Sequence, residues 1–98
     1  RYHEAEAAVW QALRAAARRA GFNRNYRRLV CNSADWSRRT GPERLFLFSM
    51  KALGVIRLRR NKVFAARSVL EKLAELDPHD EIGGGAFLQI ARAFDEEA

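Results

Sequence analysis

Ninety-eight residues, 48% of them apolar and 31% charged, suit one globular domain over residues 1–98 and exclude a disordered chain. The net charge of +6 is unevenly spread, residues 1–60 summing to +10 and residues 61–98 to −4. The single cysteine, Cys31, excludes an internal disulfide and a cysteine-rich zinc site, and is compatible with a reducing cytoplasm.

Ala, Leu, Arg and Glu dominate and β-branched residues are few, a balance that favours helix. The spacing predicts a first helix over Tyr2 to Ala20, where Tyr2, Ala5, Val9, Leu13, Ala16 and Ala20 form one apolar stripe. Glu4 and Glu6 near its start and Arg18 and Arg19 near its end complement the helix dipole, and Gly21 stops it. A second helix, capped by Asn23 or Asn25, is expected to reach Asp35 or Trp36, with Tyr26, Leu29, Val30 and Ser33 on one face.

Thr40-Gly41-Pro42-Glu43 reads as a capping box, the Thr40 hydroxyl accepting from the Glu43 amide and the Glu43 carboxylate reaching back. It opens a third helix to Arg60 whose apolar residues, Leu45 through Leu58, lie on nearly every side and predict central burial. The run from Leu45 to Ile56 contains Lys51 and is too short to cross a bilayer. A fourth helix, Lys62 to Leu76, carries Val63, Ala66, Val69, Leu70, Leu73 and Leu76 as its stripe and breaks at Asp77-Pro78. Gly83-Gly84-Gly85 then reads as a flexible joint before a last helix, starting near Gly85 or Ala86 and running to about Glu97. Its expected apolar face is Phe87, Ile90, Ala91 and Phe94. The chain starts at Arg1 rather than methionine, with no signal-peptide pattern, which leaves room for residues upstream.

Met50, Leu53-Gly54, Ala66, Leu70 and Pro78 fall in residues 47–80 at the positions of a helical hairpin of about 34 residues. On those residues the segment resembles a tetratricopeptide repeat. Arg57 stands where that family expects an aromatic, and Leu73 where it favours a small residue. Trp10, Leu13, Gly21 and Val30 keep the spacing in residues 7–40, which resembles a degenerate first repeat with Arg14 and Tyr26 at small-residue positions. The resemblance implies an all-α fold, a five-helix tetratricopeptide-like α-α superhelix of helical hairpins closed by a capping helix at residues 86–97. It also implies that Gly54 and Ala66 are small because two helices cross closely there.

In that family the inner face of each first helix lines a groove for peptides or partner helices. Here the face carries Phe48, Lys51, Val55, Leu58 and Arg59 on the matching hairpin, and Gln11, Ala15, Arg18 and Arg19 on the degenerate one. Together they imply a mixed apolar and basic groove for an amphipathic partner with acidic residues. The competing reading makes Phe48, Val55 and Leu58 plain core. Lys51 suits the clamp that some members place on a terminal carboxylate, but Val55 stands where an Asn is wanted, which disfavours that use. A protein-interaction module, an adaptor or chaperone-like accessory protein, is therefore expected first. The alternative is a basic nucleic-acid-binding domain using Arg24, Arg27, Arg28, Arg38 and Arg39, with Tyr26 and Trp36 to stack on bases.

No enzyme, metal or cofactor is expected: His3 and His79 lack metal-ligand spacing, and Cys31, read as a small buried residue on the second helix, has no base beside it. The remaining expectations are a cytoplasmic location, no membrane contact and a homodimer. One and a half repeats are fewer than the roughly three that support an independent array. The dimer would cover Phe48, Val55, Leu58, Phe87 and Phe94.

Overall fold

The computed structural model describes residues 1–97, residues 95–97 by their backbone only; Ala98, the end of the expected domain, lies outside the described residues. Four α-helices order the described chain: α1 (Tyr2–Ala20), α2 (Pro42–Arg59), α3 (Val63–Leu76) and α4 (Gly85–Glu97). The expected fifth, over residues 23–36, is reduced to a 3-10 helix at Tyr26–Arg28 between turns.

Local chemistry explains that loss. Asn23 accepts the Asn25 amide at 2.8 Å, Asn25 accepts the Arg27 amide at 3.1 Å and Ser33 accepts the Val30 amide at 2.9 Å. Each of these bonds replaces one that a helix would have made, so the polar side chains hold the backbone in turns. The apolar residues of the segment still go inside, at spacings no helix would choose. Phe22 packs on Trp36 and edge-on to Phe46, ring centres 5.0 Å apart in both pairs. Trp36 also donates its indole N–H to the Val30 carbonyl at 3.0 Å. Cys31, expected buried on a helix, is exposed in a turn.

Each α-helix packs on the next α-helix in the chain, and α4 also touches α2. The end of α2 is tied to the start of α1 by Arg60 and Glu6, 2.8 Å apart. The α2–α3 hairpin turns at Asn61, whose φ of 61° lies in the left-handed region. Its helices meet closely at Gly54, where a Cβ would stand 2.5 Å from Leu70 Cδ2, with Ala66 buried on the same helix as Leu70. α3 and α4 are joined by Arg92 and Glu71 at 3.3 Å.

Three local expectations change. Gly41, at φ 91°, is the N-cap of α2, and Thr40 lies one residue outside; no side chain caps the helix, and Glu43 is buried with Arg38 3.7 Å away. The glycine triplet is a packed corner, not a flexible joint. A Cβ on Gly84 would stand 2.5 Å from Leu73 Cδ2, while the Gly85 amide donates to Asp80 at 2.9 Å. Before it, the buried Asp77 carboxylate accepts the Glu81 amide at 3.0 Å and the Ile82 amide at 2.9 Å, closing the turn after α3. Finally, α4 buries Leu88 and Ala91 and leaves Ile90 and Phe94 exposed, so its inward face is rotated from the expected one.

Candidate interaction surface

Which face of α2 its neighbours cover decides the surface. Phe46, Leu47, Met50, Leu53 and Gly54 are buried. Positions 45, 48, 52 and 55 recur at helical spacing on the other side. There Leu45 is 46% and Phe48 43% exposed, with Ala52 and Val55 half-buried. The expected central burial of α2 therefore fails on this one face.

Lys51, one turn from both Phe48 and Val55, ties this face to α4. Its Nζ donates to the Ile82 carbonyl at 3.1 Å and lies 5.8 Å from the centre of the Phe87 ring. From Phe87 an apolar stripe runs along α4 through Ile90 and Phe94, which are 46% and 56% exposed. Two apolar stripes thus flank Lys51. Arg44 lies over the Phe48 ring at 5.3 Å, and Arg59 is exposed near the end of α2. Neither has an acidic partner among the described residues.

Phe48, Lys51, Val55 and Arg59 of the expected groove accordingly share this region, whereas Leu58 packs partly against the core. Gln11, Ala15, Arg18 and Arg19 are exposed on α1, with no side-chain hydrogen bond or ion pair to α2 or α4 among the described residues. Phe94 was expected on a dimer surface with Phe87 but not in this groove, and Ile90 was expected only on the apolar face of the last helix, because helical periodicity marks such a face without saying whether a neighbour covers it.

The arginine-rich segment arranges itself differently from the expected nucleic-acid patch. Tyr26 is fully buried and Trp36 nearly so, which removes both expected base-stacking rings. Arg38 pairs with Glu43 at 3.7 Å and Arg39 with Glu81 at 3.8 Å, while Arg24, Arg27 and Arg28 stay exposed without acidic partners among the described residues. Arg24, Asn25 and Arg27 instead join Trp10 and Arg14 of α1 around a cavity of about 370 Å³. Trp10 and Arg14 lie one helical turn apart, a spacing that was visible in the sequence but not connected to residues 24–27.

Arg57, at the position where the resemblance wants an aromatic, is buried. Its Nη1 donates to the Tyr26 hydroxyl at 3.1 Å and to the Ala65 carbonyl at 3.0 Å, and the guanidinium lies 5.7 Å from the Trp10 ring centre. The planar cation is thus held over the indole with its Nη1 hydrogen-bonded.

No helix among the described residues is long and apolar enough to cross a membrane, and among them no three His, Cys, Asp or Glu side chains gather as a metal site. No protein-family model, curated protein or solved structure matches the chain.

Proposed function

We propose that the domain is a tetratricopeptide-like protein-interaction module that holds an amphipathic helix of a partner protein against α2 and α4. The observation that carries this reading is the pair of apolar stripes, exposed Leu45 and Phe48 with half-buried Val55 on one helix and exposed Ile90 and Phe94 with half-buried Phe87 on the other, Lys51 lying by Phe87. Contiguous exposed apolar groups of this kind mark association surfaces, and their helical spacing suits anchors repeated along a partner helix. Arg44 and Arg59, without acidic partners among the described residues, favour carboxylates beside those anchors. The close Gly54–Leu70 contact of the α2–α3 hairpin supports the tetratricopeptide-like kinship. A second copy of the chain is the competing occupant that the test below distinguishes.

Selection from a library of helical peptides tests the reading. The enriched peptides are expected to share apolar residues at helical spacing with acidic neighbours, and Phe48→Glu is expected to abolish their binding. Phe64→Glu, at the exposed Phe64 of α3, should leave it intact. Enrichment indifferent to Phe48→Glu would refute the surface. A dimer mass in light scattering that Phe48→Glu converts to monomer would make the occupant a second copy.

A further inference from the structure

The cavity between α1 and residues 24–27 serves no purpose in the reading above, and its lining is chemically one-sided. Three arginines, Arg14, Arg24 and Arg27, line one opening, and no acidic side chain lines it. None of the three has an ion-pair partner among the described residues. Asn25 has its Oδ1 occupied by the Arg27 amide at 3.1 Å, which leaves its Nδ2 hydrogens available to a ligand. Four donor groups and no competing carboxylate describe a site for an anion with several oxygens.

The remaining wall is aromatic and fixed. Trp10 stacks on the buried Tyr26 ring, centres 6.2 Å apart, and the buried Arg57 guanidinium lies 5.7 Å from its ring centre. Arg27 is itself oriented by lying over the Tyr26 ring at 4.7 Å. The Trp10 wall is thus held by the core behind it before any ligand arrives. Its volume of about 370 Å³ lies in the roughly 300–1,000 Å³ range of small-molecule pockets.

We infer that this cavity binds a small phosphorylated ligand of nucleotide size, its phosphate held by Arg14, Arg24 and Arg27 and its planar part against Trp10. The phosphate satisfies the guanidinium forks, and the part of the indole that lines the cavity offers apolar contact to a planar ring.

The test follows the two indole N–H resonances by NMR, with adenosine monophosphate, adenosine and inorganic phosphate as probes. Trp36, whose indole is bonded inside the domain, serves as the reference. Adenosine monophosphate is expected to shift the Trp10 resonance saturably and leave Trp36 still, with adenosine and phosphate each binding more weakly. The double variant Arg14→Gln, Arg24→Gln removes two exposed side chains that make no ion pair among the described residues, and should weaken binding by at least about tenfold. Arg38→Gln, Arg39→Gln removes the same charge away from the cavity and should change it little. Equal losses in the two double variants would reduce the effect to general charge attraction and overturn the site. So would the absence of a saturable Trp10 shift, or adenosine or phosphate binding as well as the nucleotide. Affinity rising with the length of an oligoadenylate strand would overturn the small-molecule assignment in favour of a nucleic-acid surface.

Discussion

Residues 2–41 and residues 42–76 each begin with an amphipathic helix and complete its burial by different means. In the second region the partner is another helix, α3, and contact is tight because Gly54 lets Leu70 sit against the α2 backbone. In the first the partner is an irregular segment that delivers Phe22, Tyr26, Leu29 and Trp36 to the core with only one 3-10 turn of regular structure. Large rings separated by turns can fill the volume of a helix, but they need specific contacts to be held there. Tyr26 is held by Arg57, Trp36 by the Val30 carbonyl, and the Leu29 carbonyl accepts from Lys72 of α3 at 2.7 Å.

If the irregular segment is as much a part of the core as α3, its largest fully buried ring should matter as much as any helical residue. Tyr26→Ala is expected to cost about 3–5 kcal/mol, because it removes a buried ring and one of the two hydrogen-bond acceptors of Arg57. Denaturant unfolding would measure it, and a loss near zero would show the segment to be a dispensable covering. On the hairpin side, Gly54→Leu should cost about 1–3 kcal/mol by forcing α2 away from Leu70. A thermal melt matching the parent would remove Gly54 from the helix crossing.

Tyr26→Phe sharpens the comparison by keeping the ring and deleting only the hydroxyl. The Ala65 carbonyl still accepts from Arg57, so the expected cost is about 1 kcal/mol. A loss as large as that of Tyr26→Ala would mean that the Arg57 bond, and not the ring, holds the segment in place.

How much of this was legible in the sequence follows the same division. α1, α2 and α3 stand where three- and four-residue apolar spacing and the Gly21 and Asp77-Pro78 stops put them, because those signals are local. Residues 23–36 misled because Tyr26, Leu29, Val30 and Ser33 imitate helical spacing, while Asn23, Asn25 and Ser33 bind the backbone of turns. The glycine triplet misled because its smallness answers to Leu73 and Asp80, neighbours that spacing alone does not reveal. For the candidate surface, the sequence pointed to Phe48, Lys51 and Val55 but left them divided between groove and core. Phe94 was already expected on an association surface with Phe87; the packing of α4 leaves Phe48 uncovered and adds Ile90.

The smallest expected effect lies in the turn that ends the irregular segment. The Ser37 hydroxyl and amide hydrogen bonds on Asp35 hold its carboxyl below its ordinary value. A carboxyl lowered by folding adds stability above its unfolded pKa, and that contribution fades as pH falls through the lowered value. Ser37→Ala should therefore make the domain slightly less stable near neutrality and leave it unchanged in strong acid. Since Asp35 is fully exposed, the difference should be small. Thermal melts of parent and variant from neutral pH into strong acid would show it, and a gap that widens in acid would contradict the sign.

The central claim is that the uncovered faces of α2 and α4 bind a partner helix, and a footprint of a selected acidic helical peptide on the folded domain tests it most directly. Methyl resonances of Leu45, Val55 and Ile90 are expected to shift together and saturably, while Val30, exposed in the irregular segment, stays still. Shifts centred on Val30 and residues 24–28, with α2 and α4 unchanged, would contradict it.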